Sequence, residues 1–429
     1  MEAWLPGAAF RPGWLALSTS HASPSKPRPA PVPGCHRRAS AGLSAGAGIF
    51  YRSRRRPGCQ AESDSVGESR EGDEDGKQGA DLPIDDDDAA FLRAFQERAR
   101  EVENLQKERE RIIDRNWREG KAEVKLGAVV NDWVRRVILA EDELFVGTAS
   151  RGVQRYRLGA DHPRQVFAVK GDPSRSVRAD HPAEVDPETS VTSIAWNGRC
   201  LFAGLAGGRV HVWKEDGSLL LDVAVCPRDA YTRPCYVHVS GNMLIAAAGT
   251  SVMRWDIQEL DAQPHTVQVT SNIHCLAPGF EGSFALGLED GTVELRSLQR
   301  LALLCRRPAA HRYAVSAVHW TSVGFLSGDA DGNLVCWRAD AATPGEDWEK
   351  IWMRHHDGRV VAISVGGGNS VVTAALDSFI RVWDAESGVF MFAIPEHRVW
   401  LGSVSVSADY DLMATDGKDN AVFIYRFSD

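Results

Sequence analysis

The chain has 429 residues, 43% of them hydrophobic, and it carries a formal net charge of −9. This length is sufficient for a large core, and the acidic balance argues against nucleic acid as a partner, since that partner needs a basic face. The eight cysteines form no C-x-x-C pair, and no His, Cys, Asp or Glu residues show metal-ligand spacing. We therefore expect reduced core thiols, no metal site and no cofactor.

Residues 1–60 hold nine Lys or Arg against one acid, and they are rich in Ser, Ala, Pro and Gly. They contain neither an apolar stretch of membrane-spanning length nor the compact apolar centre of a secretory signal, so they predict a transit peptide and no membrane span. Their Pro-rich, weakly amphipathic character favours the plastid (chloroplast) over the mitochondrion. The basic run 52–56 leaves a nuclear location open, and a cytosolic location also remains an alternative.

The next segment, residues 61–88, is strongly acidic and predicts a disordered linker. Residues 89–118 lack Gly and Pro and are rich in Glu, Arg, Gln, Ala and Leu, which predicts one α-helix. Charged residues interrupt the apolar stripe of this helix, so a long coiled coil is not expected. The helix either packs on the domain that follows it or binds a partner.

Seven segments of one pattern follow, each a strand that ends on a large residue. These anchor residues are Tyr156, Trp213, Trp255, Arg296, Trp337, Trp383 and Tyr425, with steps of 57, 42, 41, 41, 46 and 42 residues between them. A period in the low forties with four strands per unit predicts a β-propeller blade. The predicted fold is all-β, a seven-bladed β-propeller over 121–429, preceded by a disordered leader and one α-helix.

This pattern resembles the WD-repeat (WD40) family, and the Trp-Asp pair itself occurs at 255–256 and 383–384. In that family a His, a Ser or Thr, an Asp and a Trp form a hydrogen-bonded tetrad within a blade. The resemblance implies structural tetrads, complete or partial, at His311, Ser327, Asp331 and Trp337, at His356, Thr373, Asp377 and Trp383, and at Thr415, Asp419 and Tyr425. Because these residues recur with the blade period, we interpret them as buried staples rather than as a catalytic triad.

Two outer strands lead to specific expectations. The last repeat ends at residue 429 without room for its outer strand, so the segment from about Glu123 to Gly127 is expected to complete that blade, as it does in the family. The run WEKIW predicts an outer strand with Trp348 and Trp352 on one face, since side chains alternate along a strand.

The family's partner contacts usually cluster on one narrow face, where the chain enters each innermost strand. The equivalent positions in three repeats are Trp133, Arg359 and Trp400, and Lys418 falls on the same rim. Two tryptophans beside an arginine are typical of an interface hot spot. The alternative is that the helix over 89–118 covers both tryptophans.

The sequence thus favours a non-catalytic scaffold that binds other proteins, a monomeric propeller within a complex, and not an enzyme. One alternative is a ubiquitin-ligase substrate adaptor in the cytosol or nucleus, because residues 116–120 (NWREG) resemble a linker of F-box/WD-repeat proteins. A second alternative is a propeller hydrolase, which needs convergent carboxylates or His at the central channel.

Overall fold

The computed structural model describes residues 86–169, 187–227, 233–280, 282–338, 348–394, 402–416 and 420–428, without the side chains of 86–93 and 187. The predicted transit peptide and nearly all of the acidic linker lie outside these residues. Helix α1 spans Asp86–Glu119 and begins three residues before its predicted start. The end of the acidic run, residues 86–88, thus belongs to the helix.

The described strands form seven four-stranded antiparallel sheets, which confirms the predicted seven-bladed propeller. In blades 1–3 the strands pair in chain order from the central channel outwards. Their bounds are β2 Val134–Ala140, β3 Glu143–Thr148, β4 Val153–Arg157 and β5 Gln165–Phe167; β6 Val191–Trp196, β7 Cys200–Leu205, β8 Arg209–Lys214 and β9 Leu219–Ala224; β10 Cys235–Ser240, β11 Met243–Ala248, β12 Ser251–Asp256 and β13 His265–Gln268.

Blades 4–6 repeat this order. Their strands are β14 Ile273–Pro278, β15 Ser283–Leu288, β16 Val293–Ser297 and β17 Leu303–Arg307; β18 Val315–Trp320, β19 Phe325–Asp329, β20 Asn333–Arg338 and β21 Glu349–His355; β22 Val360–Gly366, β23 Ser370–Ala375, β24 Ile380–Asp384 and β25 Phe390–Ile394. Two short 3-10 helices, Pro187–Thr189 and Ile257–Glu259, lie between strands.

Blade 7 combines the two ends of the propeller sequence. Its strands β26 Val404–Val406, β27 Leu412–Asp416 and β28 Ala421–Arg426 are completed on the outside by β1 Glu123–Val129. The register places Val124 opposite Tyr425 and Leu126 opposite Phe423. The predicted closing strand is therefore confirmed, and it covers the edge that β28 would otherwise expose.

Innermost strands of neighbouring blades contact one another, including β26 with β2, so the ring closes around a channel of about 330 Å³. Every innermost strand begins at the same face of the ring, which we call the upper face. The turns between first and second strands lie at the opposite, lower face.

The core consists of seven apolar clusters, one between each pair of adjacent blades. All seven anchor residues are at most 8% exposed. A buried aromatic residue removes a large apolar area from water, so the regular spacing of the anchors holds neighbouring blades together around the whole ring.

The outer strand of blade 5 differs from its prediction. Trp348 packs in the cluster between blades 4 and 5, whereas Trp352 packs between blades 5 and 6 and donates from Nε1 to the Ala385 carbonyl at 3.0 Å. The expectation that both lie on one face is wrong. A register shift opposite Cys336 and Trp337 inserts an extra residue into β21, and such a bulge reverses the alternation of side chains.

Candidate protein-interaction face

Blade 5 contains a buried polar network centred on Ser327. The Ser327 hydroxyl accepts a hydrogen bond from Trp337 Nε1 at 2.8 Å and lies 2.6 Å from His311 Nε2. His311 Nδ1 lies 2.9 Å from Asp329 Oδ2. The acid of this network is therefore Asp329 and not the predicted Asp331, which is exposed in the turn. Asp329 is the last residue of β19, so its side chain still points into the blade.

Asp329 also holds the turn that follows it. Its carboxylate accepts hydrogen bonds from the backbone N–H groups of Asp331 at 3.0 Å and Asn333 at 2.9 Å, and from Asn333 Nδ2 at 2.8 Å. Burial favours the neutral acid, but the hydrogen bonds from His311 and Asn333 outweigh it and hold the pKa of Asp329 below its ordinary value. This carboxylate therefore staples the turn to the blade.

Blade 6 joins its predicted residues through a similar network. His356 Nδ1 lies 3.1 Å from Asp377 Oδ2 and its Nε2 lies 2.8 Å from Thr373 Oγ1, which accepts from Trp383 Nε1 at 2.8 Å. The Arg381 guanidinium contacts both Asp377 and His356. Burial, with the charge of Arg381, lowers the pKa of His356 to about 4, so this imidazole is neutral at pH 7.

In blades 7 and 4 the described residues do not form this network. In blade 7, Thr415 is buried and its hydroxyl has no hydrogen-bond partner among the described residues, Tyr425 is buried, and Asp419 lies outside the described residues. In blade 4, Arg296 donates from Nε to buried Glu294 at 2.8 Å and from Nη1 to the Leu301 carbonyl at 2.9 Å.

These networks do not form an open catalytic site. The Ser327 hydroxyl lies in a residue with no exposed surface and is already bonded to Trp337. A substrate therefore has no route to this hydroxyl, and the His, Ser and Asp side chains are used for folding. Within the described stretches, no group of three or more His, Cys, Asp or Glu residues has metal-binding geometry.

The upper face presents Trp133, which is 65% exposed. Its loop is held by Asp132, which accepts from the backbone N–H groups of Trp133 at 2.8 Å, Ser150 at 2.7 Å and Arg151 at 3.0 Å. The Arg135 guanidinium lies over the indole ring, 5.6 Å from its centroid. A large aromatic surface is thus held out towards solvent on a rigid loop.

Two further aromatic residues project from the same face, and the sequence analysis did not identify them. Tyr313 lies in the link that enters blade 5, and Phe379 lies in the β23–β24 turn; both are exposed. Arg312 stands 5.8 Å from the Tyr313 ring and Arg381 stands 5.2 Å from the Phe379 ring. Only the positions of Tyr313 and Phe379, beside turns predicted at the upper face, could have identified them from the sequence.

Arg359 precedes β22 and lies at the upper mouth of the channel. Burial lowers the pKa of Arg136 in blade 1 and of His274 in blade 4, and the charge of Arg359 lowers both further. Burial raises the pKa of Tyr236 in blade 3 to about 12, and the charge of Arg359 opposes that rise. The positive charge of Arg359 thus acts on side chains of three other blades around the channel. Trp400 and Lys418, the other predicted rim residues, lie outside the described residues.

The lower face carries α1. The Trp117 ring stacks on Phe427 with centroids 3.8 Å apart, and its Nε1 donates to the Tyr410 carbonyl at 2.7 Å. Asn116 Nδ2 donates to the Phe427 carbonyl at 2.8 Å, and Arg109 pairs with Asp411 at 2.8 Å. The carboxy-terminal part of the helix thus packs on blades 6 and 7, as one of the two sequence hypotheses predicts.

This position has two consequences for the earlier hypotheses. The helix does not cover Trp133, because it docks on the opposite face. Asn116 and Trp117, which belong to the segment that resembles an F-box linker, hold the helix on the lower face. The preceding turns of the helix leave apolar side chains exposed at Phe95, Val102 and Leu105. The helix lacks the long apolar run that a membrane-spanning helix requires.

Comparisons with known proteins agree on the architecture. No protein-family profile matches the chain. The chain is 27% identical over 152 residues to the nuclear distribution protein nudF of Aspergillus niger, a match that covers 34% of this chain and 33% of that protein. It thus spans about a third of the length of this curated relative. A chain in the crystal structure of the mitotic checkpoint complex shares the fold, with a TM-score of 0.56, 18% identity, and coverage of 71% of this chain and 90% of that chain.

The seven blades and the distant match together support a propeller of the WD-repeat type. Propellers of this type are generally non-enzymatic and serve as scaffolds for protein interaction. A shared fold does not by itself identify the partner.

Proposed function

We propose that this protein is a non-catalytic platform that binds protein partners on its upper face, with Trp133 as the central contact. The observation that carries the proposal is a tryptophan 65% exposed on a loop that four hydrogen bonds to one carboxylate hold in place. Tryptophan is enriched among residues that dominate binding energy, and a rigid loop loses little entropy on binding.

The rest of the upper face supports the same role. Tyr313 and Phe379 add exposed aromatic surface, each beside a guanidinium. The fold supplies a rigid disc, so these side chains keep fixed positions relative to one another. Aromatic and arginine side chains together are the composition that interface centres favour over the rest of a surface.

Site-specific photo-crosslinking tests the proposal. A photoreactive phenylalanine analogue replaces Trp133 in the full chain, and the matched control carries it at Phe390, an exposed residue on the outer strand of blade 6. After illumination in an extract of the source organism, we expect discrete crosslinked proteins from position 133 that are absent from position 390. Trp133→Ala should remove the same proteins from an affinity capture.

The proposal fails if both positions crosslink the same proteins, or if Trp133→Ala captures its partners as well as the wild type does. The circular dichroism and melting temperature of Trp133→Ala provide the folding control, because an exposed side chain contributes little to stability.

We further infer that residues 1–60 direct the protein to the plastid, on the basis of their nine basic residues, single acid and Pro-rich composition. A fluorescent fusion of residues 1–70 should accumulate in plastids with its leader removed. Fluorescence in the nucleus or cytosol would reject this location and reopen the adaptor alternative, since an imported protein is separated from cytosolic ligases.

A further inference from the structure

The upper mouth of the channel holds two guanidinium groups, those of Arg136 and Arg359. Arg136 donates from Nε to the Thr192 carbonyl at 2.7 Å and from Nη1 to the Arg135 and Gly402 carbonyls at 2.9 and 2.5 Å. All of these acceptors are neutral carbonyls. Its guanidinium is therefore fixed at the channel wall without a carboxylate bonded to it among the described residues.

Arg359 is the second guanidinium of the mouth, and it is half-buried. Its backbone carbonyl accepts from Leu376 N at 2.9 Å, which fixes where the side chain starts. The side chain makes no hydrogen bond or ion pair with any described residue. A guanidinium that is partly withdrawn from water and has no partner among the described residues keeps its N–H donors available for an anion.

Two acids at the upper face are already engaged with other groups. Asp416 accepts from the backbone N–H groups of Gly402 at 2.7 Å and Ser403 at 2.8 Å, and Glu289 accepts from Asn272 Nδ2 at 2.5 Å. Neither acid is bonded to Arg359. Among the described residues, Arg359 is thus a cation without a bonded acid in a chain that is acidic as a whole.

We propose that the channel mouth is a carboxylate socket, in which Arg359 binds a carboxylate of an extended peptide while Trp133 contacts an apolar neighbour of that group. The inference rests on the proposed platform function and deepens it by naming the chemistry of the partner. A guanidinium presents a planar fork that matches one carboxylate in a bidentate pair. The channel, at about 330 Å³, admits a side chain or a chain end.

A carboxylate fits this mouth better than a phosphate does. Arg136 already directs three of its N–H groups to carbonyls, so Arg359 is left as the one open fork among the described residues of the mouth. A single fork satisfies the two oxygens of a carboxylate and leaves part of a phosphate unpaired.

The test uses a displayed library of random twelve-residue peptides selected on immobilised full-length protein, followed by synthetic peptides measured by fluorescence anisotropy. Peptides selected on the wild type should share one Asp or Glu position. Changing that residue to Gln, or Arg359→Gln in the protein, should weaken binding about tenfold or more. Arg199→Gln, at an exposed arginine in the β6–β7 turn of the lower face, is the matched control and should leave binding unchanged. Peptides with free and amidated carboxyl ends distinguish a side chain from a terminal carboxylate.

A charge swap provides a readout that a purely structural role would not change. Arg359→Glu should select peptides with Lys or Arg at the position where the wild type selects an acid. Neither Arg359 variant should lower the melting temperature, because Arg359 has no described partner to lose.

The outcomes separate the two proposals. Peptides that depend on Trp133 but carry no shared acid overturn the socket and leave the platform intact. Acidic peptides that depend on Arg359 and tolerate Trp133→Ala support carboxylate binding by Arg359, but they reject both the contact of the peptide with Trp133 and Trp133 as the central contact of the platform. Tenfold tighter binding of a phosphoserine version, or a library that yields no binder, overturns the socket.

Discussion

Blades 4 and 5 perform the same task with different chemistry at the anchor. In blade 5 the anchor is Trp337, which donates one hydrogen bond to buried Ser327. In blade 4 the anchor is Arg296, whose charge is balanced by Glu294 at 2.8 Å inside the same sheet. Both anchors are buried between blades. The comparison shows that the position requires a long, flat side chain whose polar atoms are paired, and that an aromatic ring is only one solution.

Loss of the aromatic anchor and loss of the arginine anchor destabilise the protein for different reasons. Loss of the aromatic anchor leaves a cavity and removes one hydrogen bond from the Ser327 hydroxyl, which keeps its contact with His311. Loss of the arginine leaves a buried carboxylate without its main partner. The first cost scales with volume and the second with charge. Two measurements test this difference, and two more test the polar networks that accompany the aromatic anchors of blades 5 and 6.

The largest effect is expected from Trp337→Ala. Truncation empties the space between blades 4 and 5, and the free energy of unfolding should fall by about 3–5 kcal/mol in a denaturant titration. Trp133→Ala, the exposed control, should change it by less than about 0.5 kcal/mol. Equal losses from both variants would contradict the assignment of Trp337 as an anchor.

Arg296→Ala should cost about 3 kcal/mol, because it uncovers the charge of buried Glu294. The nearby Arg306 guanidinium, 3.5 Å from Glu294, limits the loss. The double variant Glu294→Leu/Arg296→Met should recover most of the stability, since an apolar pair of similar volume removes the charge altogether. A double variant as unstable as the single one would show that volume, and not charge, is limiting in blade 4.

Asp329→Asn should destabilise the protein by about 1–3 kcal/mol, because the amide cannot accept all of the hydrogen bonds that converge on this carboxylate. Asp331→Asn, two residues further along and exposed, should be neutral within about 0.5 kcal/mol. Thermal unfolding of the two variants side by side separates them. If Asp329→Asn left the stability unchanged, the result would restore the prediction that Asp331 is the partner of His311.

The smallest effect concerns pH in blade 6. The pKa of His356 is about 4 in the fold and about 6.5 in an unfolded chain. The unfolded chain therefore binds more protons between these values, and this residue's contribution to stability decreases as the pH falls through 6.5. Between pH 7 and 5.5 wild type should lose about 1 kcal/mol more than His356→Asn. If wild type and His356→Asn lost the same unfolding free energy between these two pH values, the result would count against a neutral, buried His356.

Individual residues show how far sequence analysis reached. The closing strand, which spans Glu123–Val129 in the structure, was predicted from about Glu123 to Gly127 because a ring with six complete repeats and one incomplete repeat has only one way to cover its last edge. The sequence predicted Asp331 instead of Asp329 as the partner of His311 because both acids lie beside the same turn. The path of the backbone decides which of the two side chains points into the blade. The sequence placed Trp352 on the same face as Trp348, which is wrong, because a period-two pattern does not reveal a one-residue bulge.

The position of helix α1 was also left open. An apolar stripe interrupted by arginines is compatible with packing or with a partner, and only the stacking of Trp117 on Phe427 decides that its last turns lie on the lower face. The exposure of Trp133 follows from that position.

The sequence alone determined the number of blades and the places where they are tied, because periodic anchor residues and strand alternation are local properties of the chain. The tertiary structure decided which face is covered, which acid is buried and which guanidinium is left without a partner. These depend on contacts between residues up to three hundred positions apart, as in the pair of Arg109 with Asp411, and local pattern carries no information about such distances.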